Sequence, residues 1–384
     1  MRRTTHIRRF VAVASLAAWT LLVAGPTPAR AAGCDFDIVG HPSSAGTPFD
    51  QLYGIDALSG SNIWAVGSRE AAGKPFILHW NGNKWNIVPA PDKGSITELY
   101  DVTVISPSNA WAVGYYFPSS GGFERTLIEH WNGTKWWVVP SPNPLSGQSN
   151  FLKGIDAVSA SNIWAVGSNG RPGSKTLILH YNGSKWVAVK GASLANGGDL
   201  QDVSAISGSN VVAMGHSGVA GDSRALIERW DGQKWTRDVV PSSAGAGADL
   251  IGVSTPSGSA QWAAGTLSGT AALKTLTMRN TGSGWQVVGS PTPGTTENIS
   301  LFNDVTALSA TNVWAVGEWE NDKFVRRTLI AHFSNGSWHV IQSPNSGTKN
   351  NRLFGVDAVT ATNVWAVGTA DHNIGSAGLI EHGC

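Results

Sequence analysis

Apolar and polar residues alternate along this chain in short bursts separated by small polar clusters. Leu52-Tyr-Gly-Ile-Asp-Ala-Leu58 alternates, and Ser59-Gly-Ser-Asn62 breaks it. Ile63-Trp-Ala-Val-Gly67, Phe76-Ile-Leu-His-Trp80 and Lys84-Trp-Asn-Ile-Val88 follow, the last two joined through Asn81-Gly82. Short bursts rich in β-branched and aromatic residues, bounded by Gly, Asn and Ser, predict strands. Asn-Gly between two of them predicts a tight hairpin. Each such unit therefore predicts four antiparallel strands, and no stretch predicts a long amphipathic helix.

The unit is written seven times. Its signature segment occupies Gly54–Gly67, Asp101–Gly114, Gly154–Gly167, Asp202–Gly215, Gly252–Gly265, Asp304–Gly317 and Gly355–Gly368, with Trp ten places after the leading residue except at Val212. A fixed long period means a repeat architecture. Seven four-stranded units predict an all-β fold, a seven-bladed β-propeller. Trp64 and Val66 point to one face of their strand and Ala65 and Gly67 to the other, so large residues of one blade would pack on the small face of the next.

The two ends of the chain complete each other. The seventh unit stops at Gly383-Cys384 before any fourth strand, and Cys34-Asp-Phe-Asp-Ile-Val-Gly-His-Pro42 reads as an orphan fourth strand with Phe36 in the place of Trp85. The amino-terminal strand is thus expected to finish the last blade and close the ring, removing an exposed edge. Cys34 and Cys384 would flank the missing hairpin turn, close enough for a disulfide. The rival is a lipoprotein signal at Ala31-Ala-Gly-Cys34, set against it by Pro26, Pro28 and Arg30 between the cysteine and the apolar run.

Residues 1–31 carry Arg2, Arg3, Arg8 and Arg9, an apolar run from Phe10 to Ala24, and Ala29-Arg30-Ala31. This is the layout of a secretory signal peptide, too short in its apolar part to span a membrane. A propeller over 32–384 and a secreted, extracellular, monomeric product are expected. Removing the leader takes five of 27 basic residues and none of the 26 acidic ones, so the +1 of the whole chain becomes −4. A mildly acidic chain without basic clusters excludes nucleic acid and anionic lipid as expected partners.

The segment Ile55-Asp-Ala-Leu-Ser-Gly-Ser-Asn-Ile-Trp-Ala-Val66 resembles the tectonin-type repeat, and it is similar to the Trp-Ala-Val-Gly propellers of secreted bacterial proteins. The resemblance covers the mature chain and implies the propeller fold. Because tectonin-like propellers are often lectins, it also implies a carbohydrate or cell-surface glycan as partner. It carries over no site residue.

Candidate chemistry is sparse. His79, His130, His180, His332 and His382 share one repeat position, with Arg229 and Arg279 in the other two copies. On third strands these side chains are too far apart for one metal and are expected to be structural; no metal and no cofactor is expected. The first strand carries one carboxylate in six units, at Asp56, Asp156 and Asp357 in a later slot and at Asp101, Asp202 and Asp304 two residues earlier; the fifth unit has Gly252 and Ser254. These acids either tie blades together or line a cation-attracting channel. Gly215-His-Ser-Gly-Val219 fails the nucleophile-elbow pattern at its last position.

The turns from strand one to two and from three to four are short and alike, so the face they form is expected to be structural. Connections from two to three and between units vary, and variable loops on a rigid scaffold are where binding residues concentrate. Just past the final Gly of strand two stand Tyr115, Tyr116, His216, Glu318, Trp319, Asp322, Asp371 and His372, which form the candidate ligand-binding set. Aromatic faces beside carboxylates and imidazoles suit sugar recognition. A carbohydrate-active hydrolase or lyase on the same face, and a protein-interaction scaffold, are the alternatives.

Overall fold

The computed structural model describes residues 34–43, 49–71, 73–170, 174–218, 223–268, 272–294 and 298–384. The leader expected over 1–31 lies outside them. The described chain forms seven four-stranded antiparallel sheets, each ordered from an inner to an outer strand. Blade 1 consists of Gln51–Ser59, Asn62–Arg69, Lys74–Trp80 and Trp85–Ile87. The inner strands of blades 2 to 7 are Ile96–Ser106, Asn150–Ser159, Gly198–Ser207, Ala248–Ser257, Ser300–Ser309 and Asn351–Thr360. Among the described residues the one helical piece is a single turn at Ser242–Ala244, and no helix is long and apolar enough to cross a membrane.

The hairpin turns form for the reason their sequence states. Gly82 takes φ +90° and the Asn81 side-chain oxygen accepts from the backbone of Asn83 and Lys84, so Asn closes the turn that Gly permits.

Ring closure follows the expected pairing. Phe36–Ile38 runs antiparallel to Gly375–Gly383, with Phe36 opposite Gly383. Cys34 and Cys384 form a disulfide across a Cα separation of 4.6 Å, so the two cysteines of the chain are joined to each other.

The core lies in seven seams between blades. Trp64 and Val66 of blade 1 pack with Ala110, Ala112, Leu127 and Trp136 of blade 2. In six of the seven seams the outer-strand aromatic meets the motif Trp of the blade before it. Trp136 lies edge-on to Trp64, Trp186 to Trp111, Trp235 to Trp164, Trp338 to Trp262 and Trp85 to Trp365. Phe36 does the same to Trp314 at 5.8 Å, so the borrowed strand supplies the seam residue that its blade would otherwise lack. At the seam between blades 4 and 5, Trp285 packs on Val212 and Met214.

The repeated histidines are consumed by this packing. Each stacks on its own blade's motif Trp at 4.0 to 4.3 Å, and each Nε2 sits 2.8 to 3.1 Å from an Asn Oδ1 at the start of strand two. Burial lowers their pKa values, to about 4 at His332, so they are neutral structural groups.

Candidate functional site

Every inner strand breaks the ladder twice, once near its start and once beside the turn into strand two. Pairing with the second strand skips a residue between Leu52 and Gly54, and the same skip occurs in the other six blades. The skipped residue is a β-bulge, which re-aims its side chain. The final Gly of each Trp-Ala-Val-Gly segment answers it: a Cβ at Gly67 would stand 1.9 Å from the Gln51 carbonyl oxygen, and at Gly114 1.9 Å from that of Glu98. Glycine is needed there because the bulge drives a backbone oxygen into the space a side chain would fill.

The bulged residues are Tyr53, Tyr100, Lys153, Gln201, Ile251, Asn303 and Phe354. All seven line one cavity of about 500 Å³ on the propeller axis. They sit at the amino-terminal end of the inner strands, beside the end of strand two, so the cavity opens on the variable-loop face.

The mouth has two unlike halves. Phe354, Tyr53, Tyr100, Tyr115 and Phe151 form an arc of rings, each centroid 5.1 to 5.8 Å from the next. The Tyr53 hydroxyl donates to Gln51 Oε1 at 2.5 Å and that of Tyr100 to Glu98 Oε2 at 3.2 Å. Burial and then the Glu98 charge raise the pKa values of these phenols, that of Tyr53 to about 12, so they remain protonated donors. Burial likewise raises Glu98, and hydrogen bonds from Tyr100 and Tyr115 pull it back. Next round the ring from the arc, Lys153 Nζ donates to Asp199 Oδ2 at 2.9 Å and to Gln201 Oε1 at 3.0 Å. His216 Nδ1 lies 3.9 Å from Asp249 Oδ1 in the same sector.

Below the mouth, the six inner-strand aspartates tie the blades together. Backbone N–H groups of Val104, Ile155, Ala205, Val253, Val356 and Ala57 donate to Asp56, Asp101, Asp156, Asp202, Asp304 and Asp357, each across a seam, at 2.5 to 2.9 Å. In blade 5 the Ser254 hydroxyl takes the role, accepting from Ala307 N at 2.9 Å. All seven seams are closed this way. Burial raises every one of these acids, Asp156 to about 6 and Asp202 to about 7. No group of metal-ligating side chains occurs among the described residues.

The two slots for these acids have a steric cause. A Cβ at Gly54 would come 2.7 Å from Asp101 Cα, at Gly154 2.7 Å from Asp202 Cα, and at Gly252 2.8 Å from Asp304 Cα. An early-slot Asp therefore needs Gly at the same position of the preceding blade, and the ring alternates Gly, Asp, Gly, Asp. Seven is odd, so alternation must fail once. It fails between blades 7 and 1, where Gly355 meets Gly54 and both acids, Asp357 and Asp56, take the later slot. Asp357 adds a like charge to the burial that raises Asp56.

The loop residues singled out in the sequence do not form one cluster. Tyr115 joins the aromatic arc, and His216 stands beside the polar half. Tyr116 and Trp319 are half-buried and pack against seam cores, Tyr116 with Lys93 above its ring. Glu318 is buried in an ion network with Arg326 and, at 3.2 Å, Arg352, which also reaches Asp371 at 3.3 Å. Burial raises Glu318 and the two arginines oppose this. Asp322 and His372 are exposed on blades 6 and 7. The ring of bulged residues was not read from the sequence. Its signal is a position that varies freely between two fixed ones, as in Leu52-Tyr53-Gly54 and Leu152-Lys153-Gly154.

No family model matches the sequence, and no curated protein matches it. Likeness appears in the fold. The chain superposes on YCF48 bound to D1 peptide with a TM-score of 0.56 and 12% identity, over 93% of this chain and 99% of that one. It superposes on an ulvan lyase, a polysaccharide lyase with a bound saccharide containing GlcA, with a TM-score of 0.55 and 10% identity, over 89% and 97%. An Aleuria aurantia lectin in complex with a fucosyl-GlcNAc saccharide gives a TM-score of 0.49 and 13% identity, over 77% and 96%. At such identities the likeness is one of propeller architecture.

Proposed function

We propose that this chain is a secreted carbohydrate-binding propeller, lectin-like in action, whose site is the axial mouth on the variable-loop face. One observation carries the reading: an arc of aromatic rings shares a single cavity with the polar side chains of Lys153, Gln201 and Asn303, Ile251 standing between the last two. A sugar ring has an apolar C–H face and a rim of hydroxyls, and this pairing offers stacking to the first and hydrogen bonds to the second. The tectonin-like repeat agrees with the reading, and the fold accommodates saccharides, since the ulvan lyase holds one. Residues 1–31 act as the leader, which predicts a secreted protein beginning at Ala32 on amino-terminal sequencing.

The mouth is asymmetric, with different residues at equivalent positions of the blades. That favours one site per molecule and keeps a second reading, a hydrolase or lyase acting in the same mouth. A glycan array followed by product analysis separates them. Saturable binding without released sugar, abolished by Tyr53→Ala and Tyr100→Ala with the melting temperature held, supports the binding protein. Turnover of a bound glycan favours the enzyme. Absence of binding to any glycan refutes both.

A further inference from the structure

The charge lining the mouth narrows the class of sugar. Lys153 is the one cation among the described residues lining the cavity, and Asp199 at 2.9 Å already neutralises it. The second oxygen of Asp199, Oδ1, is buried and has no hydrogen-bond partner. Six aspartates line the cavity beneath. Each of their blade-tying oxygens accepts one backbone N–H and keeps a lone pair for a further donor. The lining offers an anionic sugar one cation that is already paired, and whichever of these acids is ionised would repel it. A cation gains twice, from the carboxyl oxygens and from the negative faces of the rings.

The cavity sits on the axis of a closed ring, walled on all sides by seven inner strands, and opens along that axis. A saccharide must therefore enter end-on. The part of the ring where aromatic residues crowd the mouth is also where the alternation of Gly and Asp fails: Phe354 and Tyr53 stand three residues above Asp357 and Asp56, the two neighbouring late-slot acids.

We propose that the mouth recognises the end of an aminated glycan, with the ammonium of an amino sugar seated between the Phe354–Tyr53–Tyr100 rings and the inner-strand carboxyl groups. The inference rests on the carbohydrate-binding reading and specifies its ligand class. A free amine supplies three N–H donors where acceptors predominate, and N-acetylation removes the charge and two of the donors.

Calorimetric titration of the full secreted chain with three probes tests it: glucosamine oligomers, N-acetylglucosamine oligomers and uronic acid oligomers of equal length. Glucosamine oligomers should bind at least tenfold more tightly than the acetylated ones, with affinity falling as salt rises and as the amine deprotonates. Uronic acid oligomers should bind weakest. Tyr100→Leu keeps apolar bulk but removes the ring, and should erase most of the preference for the amine while the melting temperature holds. Equal or tighter binding of the acetylated or uronic acid probe overturns the amino-sugar inference and leaves carbohydrate binding standing. If none of the probes binds but other glycans do, the inference fails alone; if no glycan binds, both fail.

Discussion

Glu129 offers a sharp test of how the blades are packed. It lies on the third strand of blade 2, fully buried, and neither carboxyl oxygen has a hydrogen-bond partner. The equivalent acids fare better: Glu228 Oε2 accepts from Ala192 N at 2.8 Å, and Glu381 Oε2 from the Ser343 hydroxyl at 2.8 Å. Aligning the units shows why. Glu129 faces blade 1, where the position of Ser343 is Ala90 and that of Thr328 is Pro75, so neither hydroxyl exists. Burial alone pushes Glu129 from 4.5 up to about 8. Because the folded pKa is raised, the native state holds more protons than the unfolded one between those two values, and stability falls as pH rises through that window. At about 1.4 kcal/mol per unit, keeping Glu129 protonated in the fold costs roughly 3 kcal/mol at pH 7, and the full shift costs about 5 kcal/mol above pH 9, where the group is ionised in both states. Blades 1 and 3 carry Leu78 and Leu179 at this position, both fully buried. Glu129→Leu should therefore stabilise the protein, most at alkaline pH. Below pH 4.5 the gain should shrink toward the ~1–3 kcal/mol of an unsatisfied neutral carboxyl. Urea unfolding at pH 4.5, 7 and 9 gives the comparison. A difference between variant and parent that does not change with pH, or a variant less stable throughout, would refute the argument.

Other consequences are independent of that carboxyl. Reducing the disulfide, or replacing Cys34 and Cys384 by Ala, releases a link between residues 350 apart, for which the chain-entropy model gives on the order of 5 kcal/mol; equal melting temperatures with and without reductant would contradict it. Gly317→Ala should cost ~3 kcal/mol, since its Cβ would meet the Leu301 carbonyl oxygen at 2.0 Å, whereas Gly289→Ala, with open space around it, should change stability by less than about 0.5 kcal/mol in chemical denaturation. Trp319→Ala and Tyr116→Ala should each destabilise by about 2 kcal/mol, because both rings cover seam cores; unchanged melting temperatures would return them to the candidate binding set.

The architecture was legible because each unit must bury its apolar face against the next, and that demand repeats the same residues at the same spacing. Phe36 in the place of Trp85 identified the strand that closes the ring, since the seam requires an aromatic wherever the strand comes from. The site was harder to see. A bulge turns Tyr53 and Lys153 toward the axis, and regular two-residue alternation gives no hint of that turn. The final Gly of Trp-Ala-Val-Gly did carry the information, as the residue forced by the bulge, but it reads as a strand end until the opposing carbonyl is placed. The ion network of Glu318 was not legible because one of its two partners, Arg352, belongs to the next blade. The aspartates' two slots were visible in the sequence; their cause, the close approach of neighbouring inner strands, belongs to the assembled ring.

On the proposed reading the axial mouth, and not the blade rims or the opposite face, holds the ligand. A crystal structure of the protein with its tightest-binding glycan tests this most directly. One saccharide per molecule is expected, its terminal ring against Tyr53 and Tyr100 and its hydroxyls within hydrogen-bond reach of Lys153 and Gln201. Saccharides bound instead at repeated sites between blades, with the axial cavity holding none, would contradict it.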